Sequence, residues 1–275
     1  MKKLTVAATG LQGLLGSRIV EVLGDSYTWI DLSIDRMDIT DKASVSNVLS
    51  GLDFDILLHL AAYTNVDQAE LEPEIAETVN VTGTKNIFDM CNKLQKKMIY
   101  ISTDFVFDGK EGPYDEDSTP HPLSVYGMTK YHGEKIVEGG AMIVRISYPF
   151  GGNVSHKKDL VATLRDLLER KIPIKGVIDQ EITPTWIDDI AHSLDYLMHH
   201  FSIDTFHIIG SESLNAYGLI QKIGDASNLD TSFVGKTTFK EFYSGKASRP
   251  QHARMKSKKN SFHTMHSLTD VLKMK

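Results

Sequence analysis

The segment Leu4-Thr-Val-Ala-Ala-Thr9-Gly10-Leu-Gln-Gly13-Leu-Leu-Gly16 opens the chain and leads directly into Ser17-Arg-Ile-Val-Glu-Val-Leu23. Leu4 to Ala8 is short and apolar, the pattern of a strand buried on both faces of a parallel sheet. Leu14, Leu15, Ile19, Val20 and Leu23 then recur at helical spacing. Glycines at every third position join the two. Gly10 permits a tight turn, Gly13 lets backbone approach a pyrophosphate, and Gly16 lets the helix pack closely on the strand. Free N–H groups and the positive dipole end at the helix start attract phosphate. The spacing departs from Gly-x-Gly-x-x-Gly, yet it stands at the first strand–helix junction, where a dinucleotide-binding turn belongs. Asp31 closes the strand-like Tyr27-Thr-Trp-Ile30, about twenty residues on, where a ribose 2′-OH acceptor is expected. Its carboxylate favours NAD(H), and nearby Arg36 offsets that preference, so NADH and NADPH both stay open. A plain surface acid at a strand end is the competing reading.

Strand and helix signals alternate outward from this opening. A helix is predicted over Lys42 to Leu49, beginning near Asp41, and a buried strand over Asp55 to Leu60. A long amphipathic helix is predicted from Glu72 to Lys96, with Pro73 in its first turn. Strands over Met98 to Ser102 and Ala141 to Ile146 flank a helix over Ser124 to Glu138. Such alternation implies right-handed βαβ units. The predicted fold is α/β, a Rossmann-like doubly wound parallel sheet with a smaller C-terminal substrate-binding region. The dinucleotide-binding domain is assigned to 1–147, completed by part of 184–210, and the substrate-binding region mainly to 148–275. Beyond Ile146 the rhythm loosens: a helix over Leu160 to Glu169, a short strand and turn at Ile172-Pro-Ile-Lys-Gly, a helix over Asp189 to His200 and a strand over Asp204 to Ile209.

Ligands of such sheets bind at the carboxyl ends of the strands. Gly10, Asp31, Ala61-Ala62, Thr103 and Ser147 all fall there. So does Tyr126-Gly-Met-Thr-Lys130, whose Tyr and Lys project from one helix face, one turn apart. An ammonium beside a phenol favours the phenolate, so Tyr126 is expected to exchange its proton nearer neutral pH than its free value of about 10. Thr103 would hold the oxygen on which that proton lands. This is equipment for moving a hydride between a nicotinamide and a C–O centre; a buried Tyr with a snorkelling Lys is the bland alternative.

The composition excludes several classes. Apolar content of 41% and charged content of 24% are those of a globular protein. A net charge of −6 argues against nucleic-acid partners. No stretch approaches the roughly 18 apolar residues of a membrane span, and Thr9-Gly10 interrupts the start too early for a signal peptide. Cys91 is the single cysteine; it reads as a core thiol, and a cytoplasmic location is expected. The basic run Arg249, Arg254, Lys256, Lys258 and Lys259 is either a solvated loop or a site of attraction for a substrate diphosphate.

Taken in order, the motifs resemble those of an extended short-chain dehydrogenase/reductase, most specifically the dTDP-4-dehydrorhamnose reductase family. The resemblance is carried by Thr9-Gly10 with Gly13 and Gly16, and by Ala61-Ala-Tyr-Thr-Asn-Val66-Asp67-Gln-Ala-Glu70. Val79-Asn80-Val-Thr-Gly83, Ser102-Thr103-Asp104-Phe105-Val-Phe107-Asp-Gly109 and Pro122-Leu-Ser-Val-Tyr126-Gly-Met-Thr-Lys130 follow, then Asp179-Gln180 with Pro184-Thr185. It covers residues 1 to 190 well and weakens beyond them.

What it implies is reduction of a 4-keto group on a nucleotide-activated deoxysugar, with NADPH or NADH as hydride donor, by a monomer or homodimer. Tyr126 would be the proton donor, Lys130 would hold the nicotinamide ribose, and Thr103 would orient the keto oxygen. Gln12, Leu14, Asp38, Ile39, Leu60 and Tyr63 would join Gly10, Gly13, Asp31, Ala61 and Ala62 around the cofactor. Thr64, Val66, Asp104, Phe107, Tyr148 and Arg249 would line the substrate pocket. Magnesium, used by some members, finds no evident ligands here. Two departures leave the sugar open: Arg145-Ile-Ser147-Tyr148 stands for Arg-Thr-Ser-Trp, and Arg249-Pro250-Gln-His252-Ala253 lacks the expected Asn and Ser. A 4,6-dehydratase would carry Glu where Phe105 stands. An epimerase, or a non-catalytic subunit resembling the β-subunit of methionine adenosyltransferase, are the remaining alternatives.

Overall fold

The computed structural model describes residues 3–152 and 158–274. The first half runs β1 (Thr5–Thr9), α1 (Leu14–Leu23), β2 (Thr28–Leu32), α2 (Lys42–Ser50), β3 (Ile56–His59), α3 (Val66–Leu71), α4 (Pro73–Glu77), α5 (Thr84–Lys93), β4 (Lys97–Thr103), α6 (Val125–Val137) and β5 (Met142–Ile146). The second half adds β6 (Pro149–Phe150), α7 (Leu160–Glu169), β7 (Lys175–Val177), β8 (Thr185–Trp186), α8 (Ile187–His199), β9 (Thr205–His207), α9 (Ala216–Ser227), β10 (Gly235–Thr237), α10 (Phe239–Phe242) and α11 (Leu268–Lys273). Six parallel strands form the main sheet in the order β2-β1-β3-β4-β5-β9. The order reverses at β1, and β1 and β3 lie side by side with Leu60 N–H donating to the Thr9 carbonyl at 3.3 Å. A crevice opens outside the strand ends at this switch point.

The apolar run of β1 divides between two cores because successive side chains face opposite ways. Val6 and Ala8 pack with Ile19, Leu58, Val144 and Leu194 beneath α1 and α8, and Ala7 packs with Leu57, Met98, Ile87 and Leu49 beneath α2 and α5. A third core, including Phe150, Leu168, Leu219, Ile223 and Leu272, holds the C-terminal region together. Asp41 caps α2 by accepting from Ala43 N–H at 2.8 Å, and Ser124 caps α6 by accepting from Gly127 N–H at 3.1 Å.

Three local expectations are revised. Asp31 lies inside β2, paired with Ala8, and does not close the strand. The helix expected over Glu72 to Lys96 begins at Pro73 and opens into a wide π turn over Thr78–Gly83. It stops at Lys93 because Gln95 takes a left-handed φ of 55°. Cys91 is buried in the core, as its flanks suggested, and burial pushes its thiol up to about 12. Among the described residues no helix is long and apolar enough to cross a membrane.

Candidate active site

A cleft of about 720 Å³ lies over the carboxyl ends of β1, β3 and β4. Its walls include Gly10, Gly13, Leu14, Leu60, Ala61, Ala62, Thr64, Val66, Thr103, Asp104, Tyr126, Lys130, Tyr148 and Arg249. At Gly10 φ is +72°, and a Cβ there would stand 2.8 Å from the Ala61 nitrogen, so only glycine lets the turn nest against β3. Gln12 donates to Asp31 Oδ2 at 3.1 Å, while Asp31 Oδ1 is buried with no partner. A buried acceptor without a donor is costly unless something else supplies one. A ribose hydroxyl is such a donor, so this corner suits a dinucleotide.

The reactive groups meet where β4 ends and α6 begins. A Cβ at Gly127 would fall 2.3 Å from the Phe105 carbonyl oxygen, so glycine there lets the start of α6 press on the turn after Thr103. That brings the Tyr126 ring edge-on to Phe105, with centroids 5.5 Å apart. Lys130, 3% exposed, sets its Nζ 4.0 Å from the Tyr100 ring centroid, a cation–π contact. Burial pushes Lys130 down to about 7, opposed by the Glu134 charge. Burial also pushes Tyr126 up to about 12, partly relieved by the Thr103 hydroxyl and reinforced by the Asp104 charge. The expected lowering of the Tyr126 pKa is therefore reversed: desolvation of the phenol is the largest influence on it. Tyr126 is protonated at neutral pH, the form a proton donor needs.

Thr103 also differs from expectation. Its hydroxyl donates to Asp104 Oδ1 at 3.0 Å and accepts the Phe105 N–H at 3.3 Å, so its hydrogen is already engaged by Asp104, itself in the cleft wall. Ser147 donates to Asp104 Oδ2 at 2.8 Å. Burial raises the Asp104 carboxyl to about 6 against these bonds. Tyr148 stands in the cleft wall with a left-handed φ of 41°, a strained conformation of the kind that collects at functional sites.

Phe107 is not part of the cleft. It is fully buried, stacked on Tyr114 at 4.4 Å and edge-on to His207, because the short helical turn over Asp104–Val106 delivers it into a small separate core. Ile39 is likewise buried against Gly83, and Asp38 spends its carboxylate on the Thr40 N–H and hydroxyl. Tyr63 turns its hydroxyl to Glu72 at 2.5 Å, away from the crevice. The basic run splits. Arg249 alone lines the cleft, held by Asp67 at 2.8 Å and lying over the Tyr243 ring. Arg254 pairs with Glu181, Lys256 and Lys258 with Asp115, and Lys259 with Asp204. Phe242, Tyr243 and Lys246 line the cleft without having been foreseen; an aromatic pair shortly before a basic residue was the available signal. Among the described residues no group of three or more His, Cys, Asp or Glu side chains is placed to hold a metal ion.

A family model described as the RmlD substrate binding domain matches residues 4–271. The chain belongs to that family. It is 35% identical to the dTDP-4-dehydrorhamnose reductase of Aggregatibacter actinomycetemcomitans over 192 residues, 68% of this chain and 64% of that one. It is 29% identical to methionine adenosyltransferase 2 subunit beta of Xenopus laevis over 247 residues, 84% of this chain and 74% of that one. The crystal structure of dTDP-4-dehydrorhamnose reductase from Bacillus anthracis strain Ames in complex with NADP superposes with a TM-score of 0.92. That comparison is at 31% identity and covers 99% of this chain and 98% of the other.

Proposed function

We propose that this family member is an NAD(P)H-dependent oxidoreductase that reduces the 4-keto group of a nucleotide-activated deoxysugar, as its reductase relatives are named for doing. The observation that carries the reading is Thr103, Tyr126 and Lys130 in one cleft with a glycine turn. A bound nicotinamide would supply the hydride. Tyr126 Oη gives its proton to the developing alkoxide, and its raised pKa keeps that proton in place until charge develops. Lys130, whose pKa burial brings down to about 7, is suited to hold the nicotinamide ribose and to replace the proton through intervening hydroxyls. Asp104 fixes the Thr103 hydroxyl, and the apolar Phe105 beside it offers no second carboxylate for a dehydration. Arg249, with Lys246, faces the diphosphate. Asp31 Oδ1 accepts a ribose hydroxyl, which supports NADH.

The test is loss of NAD(P)H absorbance with a dTDP-4-keto-6-deoxyhexose. Tyr126→Phe is expected to lower kcat at least about a hundredfold, the size of a general-acid effect, while still binding cofactor. Unchanged turnover would overturn the mechanism. The relatives named as methionine adenosyltransferase subunits support a second reading, a non-catalytic dinucleotide-binding subunit. A wild type that binds cofactor and turns over no keto sugar would favour it.

A further inference from the structure

His59 ends β3 fully buried, and none of the chemistry above uses it. Both ring nitrogens are engaged: Nδ1 lies 2.7 Å from Thr9 Oγ1, and Nε2 lies 3.1 Å from Thr84 Oγ1. The tautomer follows by elimination. Thr84 Oγ1 donates to the Asn80 carbonyl at 2.7 Å, and a carbonyl can only accept. Thr84 must then accept from His59, which places the ring hydrogen on Nε2. The bare Nδ1 takes the Thr9 hydroxyl hydrogen, and Thr9 Oγ1 accepts the Ala61 N–H at 3.2 Å. An imidazolium would leave the Thr9 hydrogen without its acceptor. Burial and the nearby Lys130 charge keep the ring neutral, and they hold its pKa down to about 3. The other facing ring, Tyr100, stands 5.9 Å away and donates its own hydroxyl to the Lys130 carbonyl.

The chain has one direction and ends where it began. Ala61 N–H, Thr9, His59, Thr84 and the Asn80 carbonyl follow in sequence. The Asn80 side chain then returns to the same loop, accepting from Tyr63 N–H at 2.7 Å and donating to the Tyr63 carbonyl at 3.2 Å. The loop after β3 is thus pinned at Ala61 and at Tyr63 by a single circuit. Ala61 is the residue that the Gly10 turn abuts.

We propose that His59 is a positioning residue for dinucleotide binding: as the tautomer-locked centre of this circuit, it holds the Ala61 amide against the glycine turn and sets the wall of the cofactor cleft. The proposal rests on the dinucleotide-dependent reading above. Thr9→Val removes the hydroxyl at constant shape. His59→Asn keeps an acceptor near the Nδ1 position, whereas His59→Gln reaches the Nε2 position and abandons Thr9. By fluorescence titration, the NADPH Kd should rise about tenfold in Thr9→Val and His59→Gln, the scale of one buried hydrogen bond. It should stay within about twofold of wild type in His59→Asn, and imidazole ¹⁵N spectra should show the Nε2-protonated ring. Equal losses in the Asn and Gln variants, an unmoved Kd in Thr9→Val, or an Nδ1-protonated ring would overturn it. Should Thr9→Val fail to fold, the His59 pair and the ¹⁵N spectrum still decide. A wild type that bound no dinucleotide would overturn the reductase reading and the role of His59 with it; binding that no variant disturbs would overturn the role alone.

Discussion

Asp104 is 2% exposed, and burial moves its carboxyl from 3.8 to about 6. The folded protein therefore holds this proton more tightly than the unfolded chain does. The resulting stabilisation is fully present below pH 3.8 and is lost as pH rises through about 6. The loss corresponds to about 3 kcal/mol. Asp104→Asn keeps the shape of the side chain and an oxygen for the Thr103 hydroxyl. The Ser147 contact reverses, with the new amide donating to Ser147 Oγ. The variant should therefore exceed wild type in stability by up to about 3 kcal/mol near pH 8 and match it near pH 4, because the groups common to both proteins cancel. Urea unfolding at the two pH values measures the difference. A stability gap that is constant with pH, or that favours wild type at high pH, would refute the claim that an ionised buried carboxylate is carried here at a cost. Such a cost is retained in natural proteins where function requires it; here the carboxylate orients Thr103.

If Asp31 Oδ1 receives a ribose hydroxyl, Asp31→Ala should raise the kcat/KM ratio for NADPH over NADH by about tenfold, the scale of one charge-assisted bond exchanged for relief of repulsion; a ratio that does not move removes Asp31 from the ribose site. Arg249→Ala should raise KM for the nucleotide sugar about tenfold and leave the nicotinamide Kd in place. Equal weakening of both ligands would show instead that the Arg249–Asp67 pair only braces the cleft.

The sheet was legible because its strands are continuous apolar runs and its helices carry period and caps, as at Asp41 and Ser124. The cleft was legible where a residue type has one plausible use, as for Gly10 at the end of β1 and for Lys130 one turn from Tyr126 on α6. Phe107 was misread because an aromatic next to a reactive turn looks the same in sequence whether it faces ligand or core. The Tyr126 pKa went the wrong way because spacing reports which charges are near and says nothing of how much water both groups lose. The C-terminal contribution was hidden for a related reason. Lys256, Lys258 and Arg249 read as one basic run, and only folding reveals that Asp115 claims the first two. His59 carried no signal at all, since its partners Thr9 and Thr84 are distant in sequence.

The last strand of the main sheet, β9, comes from residues 205–207 and lies beside β5. The helix before it, α8, clasps α1 through the bidentate Arg18–Asp188 pair at 2.7 Å. A nascent chain leaving the ribosome thus completes the glycine turn long before it can cover the β5 edge or the part of the sheet face that lies under α8. Until about two hundred residues have emerged, that edge is an unpaired template for intermolecular strand pairing. Synthesis rate and chaperone supply, which never touch the finished cleft, would then govern how much of this protein reaches its active form.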